Sequence, residues 1–161
     1  MRRILVSACL LGQPVRYNGN ARTLSHPRLT QWSDEGRVVA FCPECAAGLP
    51  TPRPPAEIAP GDDAAAILAG TGRVRGRDGA NLTGAFRAAA HLALETARAE
   101  RCGFALLADR SPSCGCRRVY GGGFDGILRA GMGVTAALLA RHGVRVFAET
   151  EIDALAAALD A

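Results

Sequence analysis

Three short apolar runs punctuate this chain, Ile4–Val6, Val38–Phe41 and Phe104–Leu107, and Val144–Phe147, broken only by Arg145, adds a fourth. Between them lie stretches with the 3.6-residue period of amphipathic helices. The apolar runs are too short for helices and read as strands. Strands that alternate with helices commit a chain to an α/β fold, because parallel neighbours need a crossover and the helices supply it. The clearest helix is predicted over Asn81–Arg101, where Leu82, Phe86, Ala89, Ala90, Ala93, Leu94 and Ala97 share one face. Others are predicted over His26–Gly36, Ala64–Ala69, Val134–Arg141 (with Gly143 at C′) and Ile152–Leu159. The expected architecture is one three-layer, Rossmann-like domain over residues 1–161 with a mainly parallel sheet. Two segments escape this pattern. Pro43–Pro60 is predicted to be an extended, proline-stiffened loop. Tyr120–Gly126 is predicted to be a glycine-rich loop, with Gly121–Gly123 its mobile part and a candidate lid.

Three of the four strands run into a cysteine: Cys9 in SACLLG, Cys42 in CPEC and Cys114 in SPSCG. In an open parallel sheet the carboxyl ends of the strands share the edge where ligands bind. Three soft thiolates gathered there from distant points of the chain indicate a metal centre, an iron–sulfur one first. Six cysteines would suggest disulfides in a small secreted chain. A secretory signal needs an apolar core of roughly 7–15 residues, however, and only Ile4–Val6 precede Ser7. The chain is therefore expected in the cytoplasm, where thiols stay reduced. No stretch is long and apolar enough to span a bilayer. The net charge of +4 comes without a basic run or interleaved aromatics, so it gives no ground for nucleic-acid binding.

The remaining motifs leave alternatives open. The spacing of Cys42 and Cys45 suits zinc or a redox dithiol as well as a cluster. A dithiol of that kind opens a long helix, and the prolines after Cys45 argue against one. Cys42, Cys45, Cys114 and Cys116 together would make a zinc set. Glu44 is either a general base beside a metal or a solvated loop carboxylate. Ser111 and Ser113 bring two hydroxyls to the Cys114 loop, although Ser and Pro also suit a plain turn. Arg53 is read as a ligand clamp or as a partner for Glu57 or a carbonyl. Gly131–Thr135 opens a helix, as an anion cradle or an ordinary cap. His26, His91 and His142 are scattered.

The motifs SACLLG, VRYNG, CPECAAGLPTPRPPAEI, SPSCG and GMGVTAALLARHGVRVFAE stand in the order and spacing of the TudS-like thiouracil desulfurases. The chain resembles that family from about Ile4 to Glu149. The resemblance implies a 4Fe–4S cluster held by Cys9, Cys42 and Cys114, with one iron left open. It implies a catalytic acidic residue at Glu44 and a catalytic serine at Ser111, with Ser113 in the same motif. The activity implied is non-redox removal of sulfur from a thiolated pyrimidine of the 4-thiouracil type, giving the carbonyl base and sulfide. A free base, a nucleoside or a thiolated tRNA carries such a group, and the modest charge favours a small molecule. Cys45 stands where the family has an aliphatic residue, and YGGG at Tyr120–Gly123 replaces Tyr-Asp-Gly. Neither Cys45 nor Cys116 is expected as a ligand. Two other readings are a structural or regulatory zinc protein and a sulfur-carrier or RNA-binding accessory module.

Overall fold

The computed structural model describes all 161 residues, Met1–Ala161. Its first half runs β1 (Arg3–Ser7), α1 (Pro27–Asp34), β2 (Val38–Phe41), α2 (Pro43–Ala46), β3 (Ala56–Ile58), α3 (Ala64–Ala69) and β4 (Val74–Gly76). Its second half runs α4 (Thr83–Ala99), β5 (Cys102–Leu107), β6 (Arg118–Tyr120), β7 (Leu128–Ala130), α5 (Val134–Arg141), β8 (Arg145–Ala148) and α6 (Ile152–Asp160).

The four expected strands form one parallel sheet in the order β2-β1-β5-β8. Ser7 pairs with Phe41, Val6 with Leu106 and Leu107 with Ala148, so the carboxyl ends lie level. The chain leaves β1 towards β2, then crosses back to build β5 and β8 on the other side. Crossovers therefore depart in opposite directions between β1 and β5, and the crevice this opens is where such sheets place ligands.

Both faces of the sheet are covered. Ile4, Val6, Phe104 and Leu106 pack with Leu29 and Trp32 of α1 and with Leu155 and Leu159 of α6. Leu5, Ala105 and Leu107 point the other way, onto Phe86, Ala90 and Leu94 of α4 and Val134 and Leu139 of α5. Alternation buried on both faces explains why the strands read as continuous apolar runs. Each of these large side chains contributes about 1.5–3 kcal/mol on burial. The helix ends are set locally. Pro27 occupies the first position of α1 while His26 Nδ1 accepts from the Arg28 amide at 3.1 Å. Asp63 caps α3 through the Ala66 amide at 2.8 Å.

Two loop expectations are corrected. Pro43–Pro60 is not extended throughout, because Pro43 opens the one-turn helix α2 and β3 pairs antiparallel with β4. Proline's fixed φ suits a first helical position, so CPEC opens a single helical turn, and no long helix follows it. Tyr120–Gly126 is the tip of the β6–β7 hairpin, and it is tied down. The amides of Gly122 and Phe124 donate to Glu57 Oε1 at 2.9 and 3.3 Å. Gly122, at φ +99°, lies so close to β3 that a Cβ would meet Ile58 O at 2.5 Å. This loop is anchored, not a lid, and Glu57 is spent on it.

Candidate metal centre

Cys42 directly follows β2 and caps α2. Cys9 sits in the 3₁₀ turn Ala8–Leu11 that ends β1, and Gly12 closes that turn at φ +91°. Cys114 lies on the loop beyond β5. All three line one cavity of about 440 Å³ at the carboxyl edge of the sheet, and Glu44 and Ser111 share its wall. The fold thus brings together the five predicted site residues.

Burial pushes the Cys114 thiol well above its ordinary range, and the nearby Cys9, Glu44 and Cys42 push it further. A hydrogen bond with the Ser7 side chain works against this. Cys42 is pushed up to about 12, first by burial and then by Cys45 and Glu44. Burial raises Cys9 too, against the pull of Arg16 and Arg22. Crowded thiols that hold their protons unaided release them to a cation, which couples metal binding to deprotonation.

The loop that carries Cys114 is held from three sides. Ser111 Oγ accepts the amides of Ser113 and Cys114, each at 3.1 Å. Asp109 Oδ1 accepts those of Cys116, Arg117 and Arg118 at 2.9, 3.0 and 3.2 Å. The first turn of α5 supplies the third hold. Gly133 N donates to Gly115 O at 2.7 Å, Val134 N to Pro112 O at 2.8 Å and Thr135 N to Ser113 O at 2.9 Å. These amides are consumed by the loop, so the Gly131–Thr135 segment cradles the cysteine loop and leaves no anion site. Gly133 is required for this approach, because a Cβ would meet Ser113 O at 2.4 Å.

Asp109 gives this hold a pH dependence. Burial alone would raise its carboxyl, but amides of Arg117, Arg118, Arg110 and Cys116 outweigh burial and bring it below the ordinary value. The stabilisation is complete above the unfolded value of about 3.9 and is lost as pH falls through the lower folded value. Asp109→Asn keeps an acceptor but loses the charge. It is expected to cost about 1–2 kcal/mol at pH 7 and to flatten the acid limb of the stability curve below about pH 4. Urea unfolding of the metal-free chain from pH 7 to pH 3 checks this.

The structure also separates the other candidates. Ser113 Oγ turns into the interior and bonds Thr135 Oγ1 at 2.9 Å, whereas Ser111 keeps its O–H free. Cys45 Sγ faces Val15 O at 3.8 Å and Thr51 Oγ1 at 3.6 Å. Cys116, only 2% exposed, turns its thiol to Cys114 O. Cys102 begins β5, at the far end of the sheet. No three His, Cys, Asp or Glu side chains converge tightly enough to hold a single metal ion. The zinc set is therefore corrected: Cys42 and Cys114 line the cavity, and Cys45 and Cys116 do not.

The model of the 2-thiouracil desulfurase family matches residues 4–151. The chain belongs to that family. Among its relatives is the uncharacterized protein YbbK of Bacillus subtilis (strain 168), 38% identical over 152 residues, which span 93% of this chain and 97% of YbbK. A solved structure, the 4Fe–4S-dependent thiouracil desulfidase TudS, is 47% identical and superposes with a TM-score of 0.90 over 99% of both chains.

Within this desulfurase-family fold, one residue around the cysteines, and the carboxylate partner of another, escape a reading of the sequence alone. Ser7 ends β1 as a buried polar residue, its Oγ accepting from Ala108 N at 3.0 Å beside Cys114. A hydroxyl at the end of an apolar strand is the available signal, since buried polar groups need partners. The other is Arg53, which pairs with Glu44 and not with Glu57. Its position among prolines carries no periodicity that would reveal this. No helix of the chain is long and apolar enough to cross a membrane.

Proposed function

We propose that this protein hydrolyses the C–S bond of thiolated pyrimidines of the 4-thiouracil type, using a 4Fe–4S cluster held by Cys9, Cys42 and Cys114. The observation that supports this is the convergence of those three thiols with Glu44 and Ser111 on one cavity. The donor set fits such a cluster: all three donors are soft sulfur and all three line one cavity of about 440 Å³. Three thiolates, where four are usual, leave one iron without a protein ligand, and the cluster when bound supplies there a soft Lewis acid for a thiocarbonyl sulfur.

The chain supplies the acid–base and positioning chemistry. Phe41, Leu82, Phe86 and Phe124 line the cavity and offer apolar faces to a flat ring while displacing bulk water. Glu44 accepts a proton from a water whose oxygen bonds to the ring carbon bearing sulfur. That carbon's bond to sulfur breaks, oxygen takes its place, and sulfide departs with the water's second proton to balance. No electrons are gained or lost. Ser111, with its oxygen fixed by two amides and only its O–H free, donates to the water or to Glu44 and so orients the pair. The substrate is a small thiolated base or nucleoside, and the reduced thiols suit the cytoplasm.

Anaerobic reconstitution with iron and sulfide tests the proposal. The expected product is a brown protein with about four irons per chain. Given 4-thiouracil and no reductant, it should release uracil and sulfide in equal amounts. A fully loaded protein that turns over no thiolated base would overturn the enzyme in favour of an accessory module.

A further inference from the structure

We infer that Arg53 is a positioning residue that holds Glu44 by one carboxylate oxygen and leaves the other free to work on water. This rests on the reading of Glu44 as the base. Every N–H of the Arg53 guanidinium is committed. Nε donates to Glu44 Oε2 at 3.0 Å, and one N–H of NH2 joins it on the same oxygen. The second N–H of NH2 donates to Val15 O at 3.1 Å. The two of NH1 go to Pro50 O at 3.1 Å and Thr51 Oγ1 at 3.2 Å. The Arg53 amide adds a bond to Tyr17 O at 2.7 Å. The guanidinium is thereby locked between the loop after β1, the α2 turn and the proline segment.

This is an unusual way to hold a carboxylate. A bidentate fork would engage both oxygens and occupy the carboxylate fully. Here both bonds end on Oε2, and no protein donor reaches Oε1. Glu44 lines the cavity with its side chain 15% exposed, while that of Arg53 is 7% exposed. One oxygen is therefore anchored to a rigid buried fork, and the other is left to water in the cavity. Position matters here because proton transfer requires the base within hydrogen-bond reach of the water it deprotonates. Glu44 sits on a single helical turn, α2, which is too short to be rigid by itself. The planar fork supplies the missing rigidity, and a lysine would not reproduce it.

A double-mutant cycle with chemical rescue tests the inference. Arg53→Ala should keep wild-type iron content and visible absorption, because Arg53 touches no ligand cysteine. Its kcat should fall by about 100-fold with KM little changed, as for a misplaced catalytic group. Added guanidinium should restore part of that kcat, while added ammonium should not. In a Glu44→Ala background, Arg53→Ala should cost nothing further and guanidinium should rescue nothing. If Arg53→Ala does not fold by circular dichroism, Arg53→Gln is measured against the same criteria. Wild-type kcat in the variant, or losses that simply multiply in the double mutant, would overturn the positioning role while leaving Glu44 as base intact. A fully active Glu44→Ala would overturn the base and this inference with it.

Discussion

Cys114→Ser yields a chain that folds but stays colourless after reconstitution, with turnover reduced by more than about 100-fold. The expected loss follows from where the side chain sits. Cys114 is 6% exposed, faces Cys9 and Cys42, and rides on a loop held by Asp109, Ser111 and α5. None of those holds passes through its sulfur, so a serine of nearly equal size leaves the loop in place. What disappears is a soft donor, and a hydroxyl is a poor substitute for iron in a sulfur-rich site. Cys9→Ser and Cys42→Ser should behave alike, because each removes one of the three proposed ligands. Cys45→Ser and Cys102→Ser are the controls. Cys45 lines no part of the cavity, although its thiol lies beside that of Cys42, and Cys102 starts β5 at the opposite end, so both variants should bind iron as the native chain does. Iron content and visible absorption after anaerobic reconstitution check the set. A brown, fully loaded Cys114→Ser would remove Cys114 from the ligand set.

The same contrast shows what a sequence of this kind discloses. The sheet was legible because its central strands β1 and β5 are buried on both faces and so appear as apolar runs. The helix α5 was legible through Gly143 just past its end, and α3 only as a short apolar run, its Asp63 cap being disclosed by the structure. The three cysteines could be placed on one edge because a parallel sheet allows its strand ends no other arrangement. Local periodicity failed where tertiary contacts set the structure. Ala56–Ile58 becomes a strand only because Val74–Gly76 pairs with it. The hairpin tip at Gly121–Gly126 is fixed only because Glu57, far away in sequence, accepts its amides. The sequence points Arg53 to Glu57 or a carbonyl; the carbonyl bonds, to Pro50 O and Val15 O, are present, but charge alone does not choose between two carboxylates. The fold chooses, by giving Glu57 to the hairpin and setting α2 beside the proline segment.

Glu44→Gln separates holding the cofactor from using it. The amide is nearly the shape of the carboxylate, and its oxygen can still accept from the Arg53 fork, so α2 and Cys42 should stay where they are. The variant should load iron and turn brown like the native protein. What it lacks is a group able to take a proton from water. General-base catalysis contributes about 10²- to 10⁴-fold, so kcat for uracil release from 4-thiouracil should fall within that range. Glu44→Ala should fall at least as far, since it also strands the buried Arg53 charge without its partner. Sulfide release measured per iron bound, not per chain, gives the decisive comparison, because it cancels any difference in loading. Native activity per iron in Glu44→Gln would mean that the water is deprotonated elsewhere. Ser111, whose hydroxyl is held by the amides of Ser113 and Cys114 in the same wall, would then be the group to replace next.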